Sequence, residues 1–251
     1  MQEQMPVAAE APIHSGTAGA AGGTSSALDD PRALQILSTE HWSLLASRSL
    51  SYNETFTRAG MFLTFLGASL VALGLISAAI GFTSQLALVA AVILATDLFI
   101  GFATLGRVLA AGTEELVCVA GMNRIRHAYR EMVPGIEPYF STPFHDDGAS
   151  VLSTYGVAQR SMAADIGHGL TTAGAMVGVV DAVVAGARVA VIALGLGATL
   201  EVGLMIGVIG CLVVFAVGLR YAFQQAFQAM EGLDPRFPAP ASQREPVDPA
   251  G

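Results

Sequence analysis

Lysine is missing altogether. The twelve basic residues of this 251-residue chain are all arginine, set against twenty Asp and Glu for a net charge of −8. A surface that neutralises nucleic-acid phosphates needs clustered positive charge, so that partner class is excluded. Charge of either sign is scarce, at 13% of residues against about a quarter in soluble domains. Cysteine is limited to Cys118 and Cys211, too far apart for a zinc-ligand set or a redox pair, and both read as small buried apolar residues. Met1 to Asp30 contains no Lys or Arg and is an Ala/Gly/Ser/Thr tract broken by Pro6 and Pro12. It therefore lacks the basic start of an export signal and is expected not to be cleaved. HExxH, CxxC and GxSxG motifs and glycine-rich phosphate loops are also missing. No catalytic residue, cofactor or metal is expected, and the chain does not read as an enzyme. Glu40-His41 and His145-Asp146-Asp147 contain metal-ligand types without metal-ligand spacing, and capping of the following helix by Asp146 or Asp147 accounts for the second group.

What the chain has is oil: 53% of residues are hydrophobic and the mean hydropathy is +0.58. No charge interrupts the stretch from Arg58 to Asp97, which holds two apolar runs, 61–82 and 86–109, parted by Thr83, Ser84 and Gln85. A second pair, 170–194 and 202–219, is joined by a turn containing Gly195 and Gly197. Each run meets the roughly 20 residues that a helix needs to cross a hydrocarbon core of about 30 Å. Helices are the only option at this length, because unpaired backbone groups in lipid cost several kcal/mol. The expected fold is all-α: a polytopic four-helix transmembrane bundle with helical cytoplasmic extensions. Its parts are a disordered tail 1–30, an amphipathic helix 31–59, a hairpin 60–109, a helical segment 110–168, a second hairpin 169–221 and a mostly disordered tail 222–251.

Arginine sets the orientation, since basic loops stay in the cytoplasm. Arg48 and Arg58 precede the first span, Arg107, Arg124, Arg126, Arg130 and Arg160 lie around the central segment, and Arg220, Arg236 and Arg244 follow the fourth. The hairpin tips carry none. Both termini are therefore expected on the cytoplasmic side of the plasma membrane. Asp30-Pro31 reads as a helix start, followed by an apolar stripe through Leu34, Leu37, Trp42, Leu44, Leu45 and Leu50 toward the first span. The second span is expected to continue past Glu114 and Glu115 until Pro134-Gly135 stops it, and another helix is expected from about Ala149.

Inside the spans, small residues recur. Gly60, Gly67, Gly74 and Gly81 stand seven apart; Gly167, Thr171, Gly174, Gly178, Asp181, Ala185 and Arg188 share a seam in the third span; Gly203, Gly207 and Gly210 mark the fourth. Such seams let helix backbones approach closely in lipid, and their partner is either another span or another copy of the chain. Asp97 lies ten residues from Arg107 and Asp181 eleven from Leu170, so both sit about 15 to 17 Å from the same edge, near mid-bilayer. Carboxylates there face protein or a water-filled path and often serve ion movement. A structural role, fixing register through Ser, Thr or backbone groups, is the competing reading. Two like charges close together would share a proton in a hydrogen-bonded pair. Folding the second hairpin about Leu194-Gly195 sets Arg188 level with Glu201, and a salt bridge between them is expected.

The runs ALQILSTEHWSLLASRSLSYNETFTRAGMFLTFLGASLVALGLI, GMNRIRHAYREMVPGIEPYF and FHDDG together resemble a group of small uncharacterised four-span membrane proteins of actinobacteria. The resemblance covers about residues 33 to 222 and implies the four-span topology, without a transferable activity. Two functions fit the whole. One is a homo-oligomeric assembly in membrane lipid that lines a path or pocket for an ion or an apolar, lipid-like molecule. The other is a non-transporting scaffold or regulatory subunit that binds a cytoplasmic protein partner through its stalk.

Overall fold

The computed structural model describes residues 26–155 and 172–240, and every regular element among them is a helix. In chain order these are α1 (Ala33–Ile80), α2 (Ser84–Met132), α3 (Gly148–Thr154), α4 (Ala173–Gly195) and α5 (Leu200–Glu231), with short 3₁₀ turns at Ala27–Asp29 and Glu137–Tyr139. The helices α1, α2, α4 and α5 are each long and apolar enough to span a membrane. The expectations for the first 25 residues, for Arg160, Gly167, Thr171 and the first residue of the third span, and for Arg244 lie outside the described residues.

The amphipathic helix expected over 31–59 and the first span form one continuous helix of 48 residues. It starts later than the Asp30-Pro31 signal implies. The Asp30 carboxylate folds onto Arg32, accepting its backbone N–H at 2.8 Å and its guanidinium at 2.9 Å, so the first regular turn opens at Ala33. At the other end of α1, Gly81 has φ +66°, a left-handed conformation that closes helices at little cost only with glycine. Gly81 thus serves as the turn residue that ends α1. Thr83 then caps α2 by accepting the N–H of Leu86. The second hairpin repeats the design, with Gly197 at φ +93° and Thr199 accepting the N–H of Val202.

α2 is the central element. It packs antiparallel to α1 on one side and to α4 on the other, while α5 closes on α4. Ala59, Phe62 and Leu66 of α1, Leu94, Leu98 and Leu105 of α2, and Val177, Val184 and Ala185 of α4 form the buried core. Beyond the spans, at the end remote from the hairpin tips, α1 and α2 continue as a stalk with its own core of Val119, Ala120, Met122 and Val151. Ion pairs tie the two stalk helices together. Glu54 holds both Arg58 at 2.8 Å and Arg107 at 3.1 Å, and Arg48 meets Glu115 at 2.8 Å.

The expectation of a mostly disordered tail from residue 222 is corrected. α5 stays helical to Glu231, and residues 234–239 lie across the loop that precedes α3 as a strap. Asp146, with no exposed surface, accepts the backbone N–H groups of Arg236 at 2.9 Å and Phe237 at 2.8 Å and pairs with Arg124. Asp147 accepts the N–H of Ala239 at 3.2 Å and the Ser150 hydroxyl at 2.7 Å. The Phe237 ring stacks on His127 with centroids 4.2 Å apart. These bonds replace the helix cap expected of the two acids: Asp147 stands at the N-cap position of α3 but makes no side-chain cap bond, its Oδ1 being taken by Ser150 and Ala239.

Burial pushes the Asp146 carboxyl up, but the Arg236 N–H, the Arg124 guanidinium and the Phe237 N–H outweigh it and hold the group below the usual carboxylate range. A depressed folded pKa contributes stability above the unfolded value of about 3.9 and loses it as pH falls through the folded value. The amides of Arg236, Phe237 and Ala239 are therefore expected to be strongly protected from exchange near neutral pH, with protection factors that fall only below about pH 4. Asp146→Asn, which removes an acceptor oxygen and the charge, is expected to speed that exchange at neutral pH.

Candidate functional site

The two intramembrane acids lie where α1, α2 and α4 meet. Asp97 of α2 is 0% exposed and Asp181 of α4 is 1% exposed. Their placement follows from small residues on facing helices. Gly101, one turn beyond Asp97, carries no side chain, and a Cβ built there would stand 1.8 Å from Asp181 Oδ1. Asp181 thus rests on bare α2 backbone, with the Phe62 ring beside it. Asp97 points toward α1, where the Ser69 hydroxyl donates to its Oδ1 at 3.0 Å.

The two acids do not form the hydrogen-bonded pair expected of carboxylates at one depth. Asp181 faces Gly101, so the offset along α2 is one helical turn, about 6 Å. Asp97 Oδ2 and both oxygens of Asp181 are buried and have no hydrogen-bond partner among the described residues. Nearby hydroxyls do not reach them: Thr104 turns back to the carbonyl of Ile100 at 2.8 Å. Leu66, Leu94, Leu98, Leu105, Val177 and Val184 belong to the apolar core cluster of the same three helices. Uncompensated carboxylates in such surroundings cost several kcal/mol each. The group that would relieve the cost is a small hard cation, because free carboxylate oxygens are ligands for protons and oxygen-seeking ions. Among the described residues there is no cluster of three His, Cys, Asp or Glu suited to a metal.

The Arg188–Glu201 salt bridge does not form. Arg188 Nε donates to the carbonyl of Ala91 on α2 at 3.2 Å, and Glu201 is exposed. Depth counting placed the two residues at one level, but their directions differ. The α4 face toward α5 is set by Gly186, Ala190 and Leu194, which meet Gly207 and Gly203. Arg188 stands two residues from both Gly186 and Ala190, about 200° around the helix, and so points to α2. Glu201 is likewise two residues from Gly203 and points away from α4.

The glycines divide by helix. Gly174 faces Val108 and Leu109, Gly178 faces Leu105, and Gly203 and Gly207 face Leu194 and Ala190. On α1, Gly60, Gly67 and Gly74 have nothing within 4 Å of a Cβ built on them. That column finds no partner among the described residues. Phe62 and Leu66 turn the opposite side of α1 inward, since burying large side chains yields far more than burying glycine.

Sequence reading missed a polar cluster at the stalk end of the bundle. Glu115 Oε1 accepts Arg48 Nε and the Tyr52 hydroxyl, both at 2.9 Å. The Arg48 guanidinium lies 5.8 Å from the centroids of the Tyr52 and Tyr155 rings. Burial works against the Arg48 charge, but the facing Glu115 carboxylate prevails and raises its pKa. Burial and the same carboxylate hold the Tyr155 phenol far above its ordinary range. The available sequence signal was Arg48 and Glu115 on adjoining stalk helices, but no local spacing joins residues that far apart in the chain.

Comparison with known proteins finds no match: no family model fits the chain, and no curated protein or solved structure is similar to it. The site is therefore read from its own chemistry.

Proposed function

We propose that this protein is a homo-oligomeric helical assembly of the plasma membrane that holds and passes a small cation, a proton or an alkali ion, on Asp97 and Asp181. One observation carries the reading: three carboxylate oxygens in the middle of the bundle are buried without a donor among the described residues. A site that strips water from two acids and offers them no fixed counter-charge favours a mobile one. The bare glycine column of α1 supports association of copies, since a face of that kind allows close backbone approach in lipid. Arginine placement puts the stalk and both termini in the cytoplasm.

The test is flux into liposomes carrying the purified protein, read with an internal pH dye in one arm and a sodium indicator in the other. The wild type is expected to dissipate one of the two gradients, and Asp97→Asn and Asp181→Asn each to slow it at least tenfold. Absence of flux in the wild type, or unchanged flux in both variants, overturns the proposal. A particle mass of one chain in detergent overturns its oligomeric part.

A second reading, a scaffold that docks a partner through the stalk, is favoured by apolar residues standing in water on α1. Trp42 is 69% exposed, and Leu34, Ile36 and Leu50 are exposed beside it, about 28 Å from the start of the first span by helical rise in the case of Trp42. Lipid cannot cover them at that distance. A protein without flux whose Trp42→Ser and Ile36→Ser variants lose a bound partner is the outcome this reading expects.

A further inference from the structure

A cavity of about 630 Å³ opens at the stalk end of the bundle, between α1, α2, the start of α4 and the end of α5. It has one oily end and one polar end. Phe56, Ala59, Val108, Leu109 and Met176 wall the side that continues into the spans, and Arg48, Tyr52, Glu115 and Tyr155 stand at the stalk side. The gradient runs as it does through a membrane leaflet, from hydrocarbon to headgroup. The volume falls within the range of pockets that hold one organic molecule, roughly 300 to 1,000 Å³.

The charges at the polar end cancel. Arg48 and Glu115 are paired at 2.8 Å, so neither an anionic nor a cationic head finds an unmatched partner there. What remains is hydrogen-bonding capacity. The Tyr155 hydroxyl is buried beside the Glu115 carboxylate with no partner in good hydrogen-bond geometry among the described residues, and burial and that carboxylate keep it a protonated donor. An unpaired buried hydroxyl costs about 1–3 kcal/mol, which a ligand oxygen recovers.

The helices also keep the space open. Gly112 lies on the cavity wall inside the continuous helix α2, and a Cβ built on it meets nothing within 4 Å. Glycine in a helix interior costs roughly 0.5–1 kcal/mol relative to alanine. No neighbouring atom of the described residues requires that cost; the cavity in front of the residue does.

We propose that this cavity binds one membrane amphiphile with a long apolar chain and a small uncharged head bearing a carbonyl or hydroxyl oxygen. The chain lies among Phe56, Ala59, Val108, Leu109 and Met176, and the head accepts from Tyr155. A monoglyceride and an isoprenoid quinone share this chemistry, and fatty acids and anionic phospholipids lack it. The inference does not depend on ion flux, since it uses a different set of residues.

Native mass spectrometry of the whole protein released from detergent, with one defined lipid added at a time, tests it. Monoolein or a prenylated quinone is expected to give a one-to-one adduct, whichever head the site prefers, with oleate and phosphatidylglycerol at least tenfold weaker. Gly112→Phe fills the space and is expected to reduce the neutral-lipid adduct tenfold or more while keeping or raising the unfolding temperature. Should Gly112→Phe fail to fold, Gly112→Leu serves the same purpose with less bulk. Tyr155→Phe is expected to weaken the neutral adduct severalfold and leave the weak anionic ones unchanged. Preference for the anionic lipids, or undiminished neutral binding in a folded Gly112 variant, overturns the proposal.

Discussion

Gly186→Leu is expected to abolish the packing of α4 on α5, leaving the second hairpin without a fixed crossing. A Cβ at residue 186 would lie 2.5 Å from the Gly207 carbonyl oxygen, 2.8 Å from Cys211 Cβ and 3.2 Å from Cys211 N. These neighbours are backbone or directly attached to it, so rotation of a side chain cannot make room. Even Gly186→Ala must push the helix axes apart, and overpacking of this kind costs about 1–3 kcal/mol. Because α4 carries Asp181 and meets α2 as well, the displacement reaches the acidic site. Unfolding by SDS titration in mixed micelles is expected to show a loss of about 2 kcal/mol for the alanine variant and no cooperative folded state for the leucine variant. A midpoint unchanged from wild type in Gly186→Ala would contradict the close crossing.

Gly101→Ala carries the second large effect, with a different cure. The added carbon would overlap Asp181 Oδ1 at 1.8 Å and Cγ at 2.7 Å, with Phe62 Cζ next at 3.0 Å. The first two atoms belong to a removable side chain. A cost of about 2 kcal/mol is therefore expected for Gly101→Ala alone, and most of it should vanish in the Asp181→Ala background. The coupling read from the double-mutant cycle is expected to exceed about 1 kcal/mol. Asp181→Ala alone is expected to be neutral or stabilising, since it removes a buried carboxylate that no donor serves. Additive effects would mean that residues 101 and 181 are not in contact.

Hydropathy made the fold readable because each span must contain about 20 apolar residues in a row, a demand that few other structures impose. The all-helical architecture and the four membrane-length helices follow from that demand. Direction around each helix was less readable. A seven-residue glycine period says that a face is able to approach another backbone, but Phe62 and Leu66 decide which face of α1 turns inward. Counting residues from the arginine-bearing ends brings Asp97 and Asp181 to similar depth, yet gives neither the one-turn offset nor the contact with Gly101. The same limit defeated the Arg188–Glu201 pairing: depth follows from rise per residue, whereas azimuth follows from the partner helix. The strap over Asp146 and Asp147 was hidden for another reason. Its donors are backbone N–H groups of Arg236, Phe237 and Ala239, which every non-proline residue has and no side-chain pattern announces.

The unbroken length of α2 has a mechanical consequence. Its 49 residues extend about 74 Å, more than twice the hydrocarbon thickness, so any tilt about the point where Asp97 and Gly101 sit acts on a long arm. A tilt of about 5° at that pivot sweeps the far end of the helix, near Met132, through roughly 4 Å by the same rise per residue. A shift at the acidic site too small to alter the bundle outline would thus become a displacement of a side-chain diameter in the aqueous portion.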